Sequence, residues 1–269
     1  MVVGRDELKS SQVGRRIPRR AAGAKKNYKV TLEYDGSLYH GWQRQRGVLT
    51  IQEVVETCLE TITCEPVRLH AAGRTDAGVH ACGQVANFHT RSRIPTEGLF
   101  HGLNSLLPSD IVALKLEEVP LDFHARFKAR SKLYQYRVHN GSVAPALGRQ
   151  YAWHIRQPLD WQRIEECLQL LVGRHDFASF KAAGSRVSQT ERTIIDARIS
   201  KAGGDIWIIS LQADGFLRHM VRTIVGTLME AGRGKLTGED FAEIVAARDR
   251  RQAGMTAPAR GLFLRRVFY

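Results

Sequence analysis

The hydrophobic periodicity of this chain alternates between steps of two and steps of three to four residues. It does so in an order that occurs twice, and that order restricts the fold more than any other feature. Residues 29–34 place Val30, Leu32 and Tyr34 on one face, as a half-buried strand does. Ile51, Val54, Val55, Cys58, Leu59 and Ile62 then recur at helical spacing, with Thr50 and Glu53 spaced as a capping box. Residues 67–71 and 84–90 read as strands, 95–107 as a helix and 111–118 as a strand. The second half repeats the plan without obvious identity. It has a strand over 132–139, a helix over 159–172 with Asp160 near its cap, and strands over 193–200 and 206–213 joined by Gly203, Gly204 and Asp205. A long helix over 216–232, another over 239–249 and a closing strand over 262–268 complete it. The predicted class is α/β (α+β): two ferredoxin-like βαββαβ halves whose mostly antiparallel sheets join side by side, with a cleft between them. The expected organisation is a basic tail over 1–26, one half over 27–125 and a second over 126–269, joined near residues 120–128.

Charge narrows the partner. The formal net charge is +13 over 269 residues. The first 26 residues hold eight Lys and Arg against two acidic groups, so the remainder is basic in its own right. Excess cations favour a polyanion, because each neutralised phosphate releases counterions. Charge alone does not separate RNA from DNA or from an anionic membrane. No apolar run reaches the ~18 residues of a membrane span, and the opening lacks the apolar core of a secretory leader. Four scattered cysteines with no CxxC pair point to reduced thiols and a cytoplasmic setting. His80 and Cys82 lack a second pair of ligands at metal-site spacing, so no metal is expected.

The densest chemistry lies in residues 73–81, Gly-Arg-Thr-Asp-Ala-Gly-Val-His-Ala. One carboxylate, Asp76, sits between an arginine and a histidine in a loop flanked by glycines and by two expected strands. An ordinary tight turn with a solvated acid has the same composition. A buried aspartate needs a nearby cation to stay ionised. Arg74 is one source, and Arg218 and Arg222, four apart, share one face of the expected long helix; helix spacing alone favours a solvated basic stripe there. Tyr134 and Tyr136 alternate beside Arg130, Lys132 and Arg137, a mixture that suits stacking on an unpaired base or a half-buried strand. His124 and Arg126 face either the cleft or the packing of the join. Trp42 is either an exposed aromatic or core.

Six motifs in order carry a resemblance: Glu33-Tyr34-Asp35-Gly36, Gly41-Trp42-Gln43-Arg44-Gln45, the nonapeptide at 73–81, residues 122–127, Tyr134-Gln135-Tyr136, and residues 219–226, His-Met-Val-Arg-Thr-Ile-Val-Gly. Together they resemble the TruA family of tRNA pseudouridine synthases, from residue 28 onward. The resemblance implies a homodimer that binds the tRNA anticodon arm and converts uridine to pseudouridine at positions 38, 39 and 40, without cofactor or metal. It matches Asp76 to the catalytic aspartate, Tyr134 to the tyrosine packed on the target base, and Arg222 to the arginine that pairs with the carboxylate. Arg74 matches an arginine implicated in flipping the nucleotide, and His124, Arg126 and Arg218 are further candidate RNA contacts. Gln135 stands where a basic residue is expected, and the tail lies outside the matched region.

The chemistry agrees with that assignment. The bond from ribose C1′ to N1 breaks, the base turns, and C1′ rejoins C5, so no redox partner is needed. A carboxylate can attack C1′, add to C6 or abstract a ribose proton. Two other readings are an RNA-binding module without catalysis, and a hydrolase using Asp76 with His80.

Overall fold

The computed structural model describes residues 23–185 and 187–269; most of the expected basic tail lies outside them. The first half runs β1 (Lys26–Tyr34), α1 (Ile51–Thr63), β2 (His70–Ala71), β3 (His80–Thr90), α2 (Thr96–Leu106) and β4 (Ile111–Val119). The second runs β5 (Ser131–Asn140), β6 (Trp153–Ile155), α3 (Trp161–Gln169), β7 (Gly173–Asp176), β8 (Glu191–Lys201), β9 (Ile206–Ala213), α4 (Met220–Gly232), α5 (Gly238–Ala247) and β10 (Leu262–Phe268). These strands form one sheet in the order β4-β1-β3-β10-β5-β9-β8-β7, with β2 paired to β3 and β6 to β5. Each half therefore has the strand order of a ferredoxin-like unit, and α1 packs on α2 as α3 packs on α4.

The seam between the halves decides where the loop carrying Asp76 sits. β2 shrinks to two residues and pairs with β3 only at Ala86 and Asn87. That leaves the start of β3 open, and β10 joins it there in parallel, Phe263 beside His80 and Leu264 beside Ala81. The loop just before β3 thus emerges where the two halves meet. A second tie crosses the seam, because the Tyr151 hydroxyl donates to Asp35 Oδ2 at 2.8 Å.

Three sequence expectations need correction. The strand expected over 67–71 is only His70–Ala71; Val67 and Leu69 are buried, so their alternation reports packing rather than sheet pairing. The helix expected over 216–232 begins at Met220, because His219 adopts φ 65°, a left-handed conformation that interrupts a helix. Leu217 is buried and keeps the helical spacing going past the true start. Thr50 precedes α1 but makes no side-chain cap. The first amides of that helix, from Ile51 and Gln52, donate instead to the carbonyls of Gly41 and Trp42. Asp160 does cap α3, accepting from the Arg163 amide at 3.0 Å.

Candidate active site

The loop from Gly73 to Val79 is held from three sides. Tyr34, at the end of β1, shares a 2.8 Å hydrogen bond between its hydroxyl and that of Thr75. Gln84, on β3, donates to the Gly73 carbonyl at 2.8 Å. The Trp42 amide donates to the Thr75 carbonyl at 3.0 Å, and the Gly78 amide to the Tyr39 carbonyl at 3.2 Å. Gly41 (φ 87°) is required for this contact, since a Cβ there would lie 2.6 Å from the Thr75 carbonyl oxygen. Trp42 itself is fully buried, which settles the open choice in favour of core. Its backbone, not its ring, serves the loop.

These restraints turn the Asp76 carboxylate toward the second half, where about a quarter of the side chain remains exposed. Its Oδ2 lies 3.4 Å from Arg222 Nη1 and 3.6 Å from His219 Nε2. Both distances exceed the about 2.7–2.9 Å of a tight charge-assisted hydrogen bond. The carboxylate is thus paired yet retains acceptor capacity. Arg222 is itself steered: its Nε donates to the Ala257 carbonyl at 2.7 Å, and the Ala257 amide donates to the Arg222 carbonyl at 3.0 Å. The segment before β10 therefore aims the guanidinium. Close packing permits this, because Gly226 on α4 lies against the Met255 carbonyl, where a Cβ would come within 1.7 Å.

The field around Asp76 is positive. Burial pushes the His219 imidazole below its ordinary 6.5, Asp76 opposes this, and Arg222, Arg218 and Arg250 add to the lowering. Burial likewise lowers the Lys132 ammonium, helped by Arg126 and Arg192 and opposed by Asp214. Lys132 also lies over the loop, since a Cβ on Gly73 would meet its Cε at 3.2 Å. Tyr134 is buried on β5 with its ring edge-on to Phe216, centroids 5.0 Å apart. Burial, then the charges of Tyr34 and Asp76, raise its hydroxyl above the usual phenol value, so it stays protonated.

The structure therefore brings Asp76, Arg222 and Tyr134 together. Arg74 is exposed on the same loop, and it makes no ion pair with the described residues. Arg218 is exposed, but it precedes α4 rather than sharing a helical face with Arg222. His124 and Arg126 lie on a turn in the join, with the His124 ring 5.1 Å from that of His70. His80 is not a partner of Asp76. Its Nδ1 faces Asp35 Oδ1 at 3.0 Å and the Gly36 amide at 3.1 Å, and its Nε2 faces the Arg260 carbonyl at 3.2 Å. That removes the pairing a hydrolase would need. The histidine beside Asp76 is His219, which opens the motif at 219–226 but carries no assigned role in the sequence reading; Arg250 is not singled out there at all.

Comparison with known proteins identifies the family. The tRNA pseudouridine synthase family matches residues 31–128 and 167–269. The tRNA pseudouridine synthase A of Moorella thermoacetica is 51% identical over 243 residues, covering 90% of this chain and 98% of that protein. Those of Clostridium acetobutylicum and Acetivibrio thermocellus are 45% and 43% identical over 244 residues, each covering 91% of this chain and 100% of the relative. Among solved structures, a dye-decolorizing protein from V. cholerae aligns at 13% identity over 81% of this chain and 88% of that one, with a TM-score of 0.19, too slight a likeness to carry weight. With matches of this identity running across nine-tenths of its length, the chain belongs to the tRNA pseudouridine synthase family.

Proposed function

We propose that the protein isomerises uridine to pseudouridine in tRNA, at positions 38, 39 and 40 of the anticodon stem and loop, with Asp76 as the catalytic carboxylate. Family membership supports the reaction class. The observation that carries the site is the Asp76 carboxylate at the seam of the sheet, 3.4 Å from an arginine contributed by the other half. The target nucleotide leaves its stack, at a cost of a few kcal/mol, and enters the space before Asp76. The Tyr134 ring packs on the base, Arg222 pairs with the carboxylate, and Arg74 occupies the vacated position. His124, Arg126 and Arg218 contribute phosphate contacts.

Cleaving C1′–N1 and forming C1′–C5 releases the C5 hydrogen as a proton while N1 takes up a proton, so atoms and electrons balance without a cofactor or metal. In this reading residues 27–125 supply the aspartate loop and residues 126–269 the tyrosine strand and the arginine, with residues 1–26 as a basic arm. The protein acts in the cytoplasm as a homodimer. Among the described residues no helix is long and apolar enough to cross a membrane.

The test is tritium release from tRNA labelled at uridine C5, using substrates with uridine only at 38, 39 or 40. The wild-type protein releases tritium from each, and Asp76→Asn releases none while still binding tRNA. Binding without release by the wild-type protein would leave a non-catalytic RNA-binding module instead.

A further inference from the structure

We propose that the turn carrying Phe127 is a stacking platform for an unpaired base of the RNA, outside the pocket around Asp76. The proposal rests on the RNA-modifying reading above and adds to it a contact that holds a second nucleotide.

The turn is rigid before any ligand arrives. Ala125 is fully buried; its amide donates to Asn87 Oδ1 at 2.9 Å, and its carbonyl accepts from the Tyr269 hydroxyl at 2.9 Å. The carbonyl of Phe123 accepts from the side-chain amides of Asn27 and Asn87, at 2.9 and 3.2 Å. The Lys128 amide closes the turn onto the His124 carbonyl at 3.0 Å. Three strands or their continuations thus fix a backbone on which Arg126 and Phe127 are exposed.

What it presents is aromatic and cationic. Phe127 is 76% exposed. Its ring centroid lies 4.3 Å from that of His124 at 34°, and His124 in turn lies 5.1 Å from His70. The Arg126 guanidinium carbon sits 5.9 Å from the Phe127 centroid. A single exposed hydrophobic residue needs no explanation. This one instead ends a row of rings, beside a guanidinium, on a turn held by four side-chain hydrogen bonds. The row starts at His70, just before the Asp76 loop, and Arg126 acts electrostatically on Lys132, whose stem covers Gly73. Platform and reaction site therefore border one another.

An aromatic face beside a cation suits a nucleobase with its phosphate, because every base offers a π-face and every linkage an anion.

Binding of an anticodon-arm stem-loop RNA to the full-length protein across a salt series tests the platform. Phe127→Ala and Phe127→Leu are expected to weaken binding about tenfold, while Phe127→Tyr keeps wild-type affinity. The slope of log affinity against log salt stays unchanged in the Phe127 variants, because stacking releases no counterions. In Arg126→Ala that slope becomes shallower by about one. Wild-type affinity in Phe127→Ala would overturn the proposal. So would Leu performing as well as Tyr, which would show that bulk suffices, or an altered oligomeric state in Phe127→Ala, which would place the ring between subunits. A wild-type protein that neither binds nor isomerises tRNA would defeat the functional reading itself. Isomerisation by the wild type together with intact binding by Phe127→Ala would remove the platform alone.

Discussion

Replacing Asp76 by Asn removes a charge and keeps the shape, so it separates chemistry from folding. The side chain is partly exposed and none of the loop's anchoring bonds depends on its charge. Turnover is therefore expected to fall about a thousandfold or more, with tRNA affinity within severalfold of wild type, as read by tritium release and by filter binding. Arg222→Lys tests geometry rather than charge. Arginine donates from Nε to the Ala257 carbonyl while its Nη1 faces Asp76, and one ammonium cannot occupy both positions. The expected cost is about tenfold to a hundredfold in kcat/KM, and an unimpaired lysine variant would show that any nearby cation suffices. At Tyr134 the ring and the hydroxyl come apart cleanly. Tyr134→Phe retains the edge-on contact with Phe216 and is expected to stay active, whereas Tyr134→Leu loses it and drops in kcat. Equal activity in the two variants would remove the ring from the mechanism.

Between elements, the contact that matters most to the site is the one between α4 and the segment leading into β10. Gly226 brings the two together, and Ala there would improve helix propensity by about 1 kcal/mol. The added methyl would nevertheless meet the Met255 carbonyl at 1.7 Å. The clash dominates: Gly226→Ala is expected to destabilise by about 1–3 kcal/mol and to shift the Ala257 carbonyl that aims Arg222. Thermal unfolding reads the first effect and kcat the second, and both should move together. The same region shows what the sequence could and could not reveal. The strands at Ile206–Ala213 and Leu262–Phe268 were legible to the residue from their apolar runs, the first bounded by the turn at Gly203, Gly204 and Asp205. The start of α4 was not, since Leu217 continues the helical spacing while a backbone angle at His219 breaks it. β6 and β7, three and four residues long, carry too little pattern to be seen. The Asp76 loop was legible through its flanking glycines. Lys132 and Arg250 did not stand out as part of its surroundings, because only the folded arrangement, β5 for the one and the segment after α5 for the other, brings them near it.

Across the whole molecule, three histidines couple stability to pH in the same direction. His70 lies on β2, His80 at the seam where β3 meets β10, and His219 beside Asp76. For each, burial is the main reason that the imidazole sits below its ordinary 6.5 in the folded protein. The unfolded chain therefore takes up protons near pH 6.5 that the folded chain refuses until lower pH. With more protons bound to the unfolded state, stability falls as pH falls. Their contribution is fully present above about pH 6.5 and declines as pH drops below it. The lowered carboxylates, Asp35, Glu117, Asp240 and Asp249, act with the same sign but in a separate, more acid window, because their ordinary values are 3.8 to 4.5. Urea unfolding at pH 7.5, 6.0 and 5.0 should thus show a midpoint that drops across the upper window, above the range in which these four carboxylates titrate. His80→Gln keeps a polar side chain at the seam but no longer titrates, so it should flatten part of that drop whatever its effect on the midpoint at pH 7.5. A midpoint that is level from pH 7.5 to 5.0 in the wild-type protein would mean that these rings accept protons in place, and that the seam does not sense pH.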